Sequence, residues 1–215
     1  MPLDLKRGIV RILAADGATT SGTGFILSEK GIIVTCSHVI QAEKLQVRGY
    51  PRPERVEIVF RANGQKAAAR LLPQAWRAAD GEDVAFLQLE GPLPQDVVPL
   101  PLGSWEGAPG QQFQSVGCPD QSPEEGLYGE GQLIEQTSIL GMKVWQVKSS
   151  EITPGFSGGP VFDEQARHVA VSYTHLRAHE TVLDLVCRLL LEKKKKTIAT
   201  TMYHHMKAQK KTTTP

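Results

Sequence analysis

Three short segments of this sequence supply a base, an acid and a nucleophile, in the chain order histidine, aspartate, serine. The segment VTCSHV places His38 just after a β-branched run, EDVAFLQL places Asp83 at the start of an apolar run, and PGFSGGPVF surrounds Ser157. A serine hydroxyl is a poor nucleophile unless a base takes its proton, and histidine is suited to that at neutral pH. The three segments therefore predict nucleophilic catalysis by Ser157, with His38 as the general base and Asp83 orienting the imidazole.

The glycines around Ser157 are the most specific of these signals. In GFSGG they allow a bend that turns successive N–H groups toward one point and leaves the hydroxyl uncrowded. Each motif also has a plain structural interpretation: a tight turn around Ser157, a structural histidine at 38 and a strand-edge acid at 83. The occurrence of all three in one chain favours an active site.

The first 170 residues show the rhythm of a β protein. Short apolar runs are separated by glycine and proline, and several alternate with a period of two, as RVEIVF does. The predicted strands lie in RGIVRILA, GTGFILS, GIIVTCS, RVEIVF, AAARLL, DVAFLQL, QQFQSVG, GQLIEQ, KVWQVKS and GPVF. Roughly ten strands of this kind predict an all-β fold, made of one closed barrel or a pair of barrels.

The stretch GPLPQDVVPLPLGSWEGAP is the best candidate for a connector between two halves, because it is rich in proline. We predict an N-terminal barrel over residues 1–92, which carries His38 and Asp83. A connector follows over residues 93–109. The second barrel covers residues 110–170 and carries Ser157.

Together, GTGF and VTCSHV around His38, EDVAFLQL around Asp83 and PGFSGGPVF around Ser157 resemble the chymotrypsin-fold, or trypsin-like, serine peptidases, especially the bacterial HtrA-like branch. The resemblance implies two perpendicular six-stranded antiparallel β-barrels with the active site in the cleft between them. It also implies a triad of His38, Asp83 and Ser157, and an oxyanion hole formed by the N–H groups of Gly155 and Ser157.

The activity implied by the resemblance is serine endopeptidase chemistry through an acyl-enzyme, acting on a protein or peptide substrate without a cofactor. Such modules also occur within larger multidomain proteins. The alternative is a catalytically inactive trypsin-like pseudoenzyme that serves as a binding or regulatory module.

Positions just before Ser157 bear on activation and specificity. Phe156 stands where digestive relatives have an acid that captures a new amino terminus, and where the HtrA-like branch has a polar residue, so activation by zymogen cleavage is not expected. Glu151 and Ile152 align with the primary specificity pocket. A buried carboxylate at 151 would favour substrates with Lys or Arg, whereas the usual solvated strand-edge glutamate would not.

The last part of the chain differs from the rest in charge and composition. Residues 1–170 hold 15 Lys+Arg and 20 Asp+Glu, a balance of −5, whereas residues 171–215 hold 9 and 3, a balance of +6. All 20 glycines precede this tail, in which residues 180–196 could form a helix. Residues 171–196 resemble the translation of a transposase-type sequencing adapter.

We therefore expect residues 171–215 to be a non-native tail and the second barrel to be incomplete. A barrel left open exposes unpaired strand edges, so the chain as given should be poorly stable and weakly active. A nucleic-acid-binding role would depend on the basic tail alone, where no aromatic interleaving accompanies the lysines. We expect no nucleic-acid partner.

Composition also bears on membrane insertion, export, disulfide formation and cofactor binding. No apolar run approaches the roughly 20 residues of a bilayer-spanning helix, and the start of the chain has no long apolar core ahead of a cleavage site. We expect a cytoplasmic protein that does not bind membranes. Cys36, Cys118 and Cys187 lack paired spacing, which predicts reduced, buried thiols. Without metal-ligand spacing or a phosphate-binding glycine loop, no metal or nucleotide cofactor is expected.

Overall fold

The computed structural model describes residues 4–41, 54–79, 81–103, 107–119, 125–139, 142–174 and 185–188. Within these residues the regular structure is nearly all β, with one short α-helix, α1 (Ser37–Ile40), and two 3-10 helices, Leu5–Gly8 and Pro73–Ala75. None of the described helices is long and apolar enough to cross a membrane. The strands are β1 (Ile9–Leu13), β2 (Thr20–Ile26), β3 (Ile32–Thr35), β4 (Arg55–Phe60), β5 (Lys66–Leu71), β6 (Ala85–Leu89), β7 (Gln112–Gly117), β8 (Leu127–Ile139), β9 (Met142–Lys148), β10 (Pro160–Asp163), β11 (His168–Thr174) and β12 (Leu185–Arg188).

The first six strands form a closed antiparallel barrel in the order β1-β2-β3-β6-β5-β4. The alternation in β4 shows why: Val56, Ile58 and Phe60 are buried, whereas Arg55 and Glu57 are exposed. Inward-facing apolar residues from all six strands meet in one core, and burying them stabilises the barrel.

The other six strands follow in the cyclic order β10-β11-β12-β9-β8-β7. Strands β7, β8 and β9 pair over long ladders. By contrast, β10 meets β7 through a single registered pair, Phe162 with Gln114. The second sheet is therefore far less firmly closed than the first barrel, in agreement with the prediction of an incomplete second barrel.

The sixth strand of the second sheet lies within the segment predicted to be a non-native tail. Strand β12 pairs antiparallel with β11 and with β9, and β11 itself extends to Thr174, past the boundary predicted at residue 170. The structure thus has a strand inside residues 180–196, where the sequence suggested a helix. The edges of β9 and β11 offer backbone partners that a short isolated helix lacks. The origin of the tail stays a prediction, and its other residues beyond Thr174 lie outside the described ranges.

Residues 93–103 of the predicted connector contain no named strand and pack between the two sheets. Leu100 is buried against Phe25 of the first barrel and shares its cluster with Val116 and Phe162 of the second sheet. This apolar contact fixes the two sheets against each other, which matters because the predicted site residues come from both.

Candidate active site

His38 lies on α1, directly after β3. The four residues of β3 are all buried, as expected for a run of β-branched residues inside a barrel. Cys36 keeps an extended backbone, and the chain then turns into the helix. His38 therefore sits at the end of a rigid strand, with 35% of its side chain exposed.

Strand pairing brings Asp83 to His38. Thr35 of β3 pairs with Ala85 of β6, so the end of one strand lies beside the start of the other. Asp83 has a φ of 53°, in the left-handed region that aspartate and asparagine tolerate better than most residues, and its N–H donates to the carbonyl oxygen of Ala78 at 3.0 Å. Only 4% of the carboxylate side chain is exposed, so hydrogen bonds must stabilise its charge.

Ser37 and His38 both bond to the Asp83 carboxylate. Its Oδ2 lies 2.6 Å from Nδ1 of His38, and its Oδ1 accepts from the His38 N–H at 3.0 Å and from the Ser37 hydroxyl at 2.7 Å. An acid at Nδ1 favours the imidazole tautomer protonated there and leaves Nε2 as the basic nitrogen. This geometry suits an oriented general base.

Ser157 lies in the glycine-rich loop between β9 and β10. Gly155 has a φ of 101° and Gly158 a φ of 85°, both in the left-handed region that disfavours other residues. Space is also restricted: a Cβ at Gly155 would lie 2.5 Å from Cα of Pro119, and one at Gly158 would overlap the carbonyl oxygen of Thr23. The loop therefore needs glycine on both sides of Ser157.

The N–H groups predicted to form the oxyanion hole are available in this loop. Among the described residues, no main-chain carbonyl accepts from the N–H of Gly155 or Ser157, although their own carbonyls are bonded to Thr23. Backbone N–H groups without a main-chain acceptor are what an oxyanion hole requires.

Gly22 lies where the glycine-rich loop that carries Ser157, the serine loop, meets helix α1, which carries His38. A Cβ on Gly22 would lie 3.0 Å from the carbonyl oxygen of Ser157 and 2.7 Å from Cγ2 of Val39, the residue after His38. The structure thus brings His38, Asp83 and Ser157 to one junction between the sheets. Within the described residues no hydrogen bond joins the Ser157 hydroxyl to His38, and such bonds are often long in a ligand-free site.

The sequence comparison identifies the family of this site. Residues 22–171 match the family model of the trypsin-like peptidase domain, which is more than half of the chain. The chain belongs to the trypsin-like peptidase family. A search of curated proteins finds no match.

Solved structures of proteases share the fold of this trypsin-like domain. The inactive form of Rv3671c from M. tuberculosis, in a serine-to-alanine mutant, is 18% identical with a TM-score of 0.65 over 98% of this chain and 90% of that chain. The serine endoprotease from Yersinia pestis is 18% identical with a TM-score of 0.66 over 94% and 68%. The HtrA-type protease AlgW with a decapeptide is 18% identical with a TM-score of 0.64 over 86% and 53%.

Phe156 anchors the serine loop of the trypsin-like domain in the second sheet. Its side chain is fully buried and belongs to the same core cluster as Phe113 and Ile152. The ring lies where a Cβ on Gly117 would be and 3.1 Å from a Cβ built on Gly129. An apolar contact thus holds the loop from inside the sheet, at the position where Phe156 departs from the polar residue of the HtrA-like branch.

The two residues predicted to line the specificity pocket differ in burial. Glu151 is exposed, and its Oε2 accepts from the N–H of Glu130 at 2.8 Å. Ile152 is buried beside Phe156, and its N–H donates to Oγ of Ser149 at 3.2 Å. Glu151 thus corresponds to the solvated strand-edge glutamate and not to a buried pocket carboxylate.

Among the described residues, one group has side chains of the types that hold a metal ion. The ligand atoms of Cys36, His38 and Asp83 all lie within 4.8 Å of one another. Both Asp83 oxygens already accept hydrogen bonds from Ser37 and His38, so the donor set fits an acid–base pair better than a zinc site.

Cys36 and Cys118 are buried thiols, as the sequence predicted. Burial raises the pKa of Cys118, which keeps it protonated and inert. The side chain of Cys187 lies outside the described residues.

Two further residues, Ser37 and Thr23, shape this site, and no sequence pattern indicated their contacts. The Ser37 hydroxyl donates to Asp83, and Thr23 contacts both the serine loop and Cys118. Both lie inside motifs that were already noted, CSH and GTG, but only the fold shows what their hydroxyl groups meet.

Proposed function

We propose that this trypsin-like domain is a serine endopeptidase that uses Ser157, His38 and Asp83 as a catalytic triad. The observation that carries the proposal is the His38–Asp83 pair, 2.6 Å apart and buried on the acid side, next to a glycine-flanked serine. The family assignment supports a protein or peptide as the substrate.

The reaction has two halves. The Ser157 hydroxyl attacks the carbonyl carbon of the substrate while its proton passes to Nε2 of His38, and Asp83 stabilises the imidazolium. The imidazolium then protonates the leaving amine, which leaves an acyl ester on Ser157. Water, activated by the same base, hydrolyses this ester and restores the enzyme.

The loop N–H groups stabilise the transition state. As the carbonyl becomes tetrahedral, its oxygen gains negative charge and accepts hydrogen bonds from the N–H groups of Gly155 and Ser157. One such donor contributes about 3 kcal/mol to transition-state stabilisation.

Intact-mass analysis after exposure to a fluorophosphonate tests the proposal, because this reagent modifies only an activated serine. We expect one adduct on the chain as given and none on Ser157→Ala. Ser115→Ala is the matched control, since Ser115 is also a buried serine of the second sheet, and it should still form the adduct.

A thermal melt of each variant is the control for folding, because a cooperative transition shows that a missing adduct is not caused by unfolding. A folded chain without an adduct would contradict the proposal and would favour the alternative, a binding or regulatory module without peptidase activity. An adduct that persists in Ser157→Ala would remove Ser157 from its role.

A further inference from the structure

Thr23 lies in β2 of the first barrel and bonds to the loop that carries the nucleophile. Its side chain is fully buried. We propose that Thr23 is a positioning residue that fixes the oxyanion-hole loop against the barrel carrying His38, an inference that rests on the proposed peptidase function.

The main chain of Thr23 makes the first connection. Its N–H donates to the carbonyl oxygen of Ser157 at 2.9 Å. Its own carbonyl oxygen accepts from the hydroxyl of Thr35 at 2.6 Å, just before α1. The peptide of Thr23 thus lies between the nucleophile and the strand that leads to His38.

The side chain of Thr23 makes the second connection, and here the residue type matters. Oγ1 donates to the carbonyl oxygen of Gly155 at 2.6 Å and accepts from the N–H of Cys118 at 2.9 Å. A hydroxyl has one proton to donate and can accept as well, so one side chain satisfies both a backbone carbonyl and a backbone N–H. Gly155 is itself a proposed oxyanion donor, so the bond to its carbonyl fixes the direction of the loop at that residue.

Two hydrogen bonds, one from the N–H of Thr23 and one from its hydroxyl, thus attach the loop to the first barrel. Phe156 anchors it in the second sheet, but an apolar ring fixes position better than the orientation of a peptide group. Hydrogen bonds from Thr23 are directional and reach the loop from the opposite side. Thr23 therefore sets how the oxyanion donors face His38.

Removing only the hydroxyl should affect the chemical step more than binding. The oxyanion forms in the transition state and not in the bound substrate, so misdirected donors lower kcat and leave KM nearly unchanged. For Thr23→Val, which keeps the shape of the side chain, we expect kcat and the fluorophosphonate reaction rate to fall by roughly tenfold to a hundredfold. Thr23→Ser keeps the hydroxyl and should recover most of both rates.

The experiment measures the fluorophosphonate rate, kcat and KM on a peptide ester, and amide hydrogen exchange of residues 153–159 in the chain as given and in these two variants. Thr20→Val is the matched control, because it alters a threonine of the same strand that lies outside the junction. We expect faster exchange of the serine loop in Thr23→Val only. If Thr23→Val does not fold, Thr23→Cys, a weaker donor of similar size, takes its place with an intermediate rate expected.

Two outcomes would overturn the inference: equal rates in Thr23→Val and the unaltered chain, or equal losses in Thr23→Ser and Thr23→Val. Failure of the proposed function gives a different result. The folded, unaltered chain would not react with the fluorophosphonate, while faster exchange of the loop in Thr23→Val would still report the attachment.

Discussion

His38 and Asp83 belong to neighbouring strands of one closed barrel, whereas Ser157 lies on a loop of the other sheet and is held there from two sides. Pairing of Thr35 with Ala85 sets the distance between the acid and the base. No such ladder sets the position of Ser157, which depends on left-handed glycines, a buried ring and bonds to Thr23. A sheet thus fixes the proposed acid–base pair, and loop contacts fix the proposed nucleophile.

Because of this difference, substitutions at the two places should have different effects on activity and on stability. Damage to the acid–base pair should impair the chemistry and leave the fold intact, because the barrel stands without it. Damage to the serine loop should alter stability and chemistry together, because the loop also covers the junction between the sheets.

Asp83→Asn should produce the largest loss of activity. An amide at this position favours the wrong imidazole tautomer, so we expect kcat to fall on the order of 10⁴-fold while the thermal midpoint changes little. Peptide hydrolysis and a thermal melt on the same preparation measure both quantities. A kcat within tenfold of the unaltered chain would contradict the role of Asp83.

Gly158→Ala tests the loop side of the comparison. The φ of 85° and the overlap of a Cβ with the carbonyl oxygen of Thr23 predict a loss of about 3 kcal/mol in the free energy of unfolding, with reduced activity. Gly64→Ala is the matched control: its φ is 73°, but nothing lies within 4 Å of its Cβ, so only the backbone strain of about 1 kcal/mol remains. Equal losses in denaturant unfolding of the two variants would show that the Thr23 contact is unimportant.

Ser37→Ala sharpens the comparison within the acid–base pair. It removes one of the donors to Oδ1 of Asp83, and a hydrogen bond to a charged group contributes about 2 kcal/mol. We expect kcat to fall on the order of tenfold, far less than in Asp83→Asn, because Nδ1 of His38 keeps its partner. Ser28→Ala, in the turn between β2 and β3, should leave kcat unchanged. A loss as large as that of Asp83→Asn would mean that Ser37 does more than support the carboxylate.

Glu90→Gln tests the outside of the first barrel and should have the smallest effect. The Arg55 guanidinium, and then that of Arg70, holds the pKa of Glu90 below its ordinary value. Because the pKa of Glu90 is lower in the folded than in the unfolded state, its charge stabilises the fold at pH values above the unfolded-state pKa. This stabilisation is lost as the pH falls through the folded-state pKa. We expect a slightly lower thermal midpoint for the variant at pH 7 and no difference well below about pH 4. A difference that persists in acid would contradict the ion-pair explanation.

The sequence predicted the strands of the first barrel, and it also predicted the contact between His38 and Asp83. RVEIVF coincides with β4, and each of the ten apolar runs contributes to an observed strand. Local patterns suffice there because the alternation of apolar and polar residues, together with the β-branched residues, determines where a strand forms and which of its faces is buried. The glycines around Ser157 predicted a bend in this loop, and two of them, Gly155 and Gly158, have a left-handed backbone there.

The remaining features depend on contacts between segments far apart in sequence. The pattern around Phe156 did not show that its ring would fill the core of the second sheet, and CSH did not show that Ser37 would bond to Asp83. Strand β12 is stabilised by its neighbours β9 and β11, against a local pattern that suggested a helix. Tertiary partners of this kind outweigh local preference.

The bonds of Thr23 also have a consequence for the order in which the chain folds during its synthesis on the ribosome. Its hydroxyl joins residues 95 and 132 positions further along the chain. Chains fold from the N-terminus as they are made, so the first barrel, with its acid–base pair, can complete itself while the serine loop has yet to be synthesised. The proposed active site is then completed only late in translation, when Gly155 has been synthesised and can bond to Thr23 of β2.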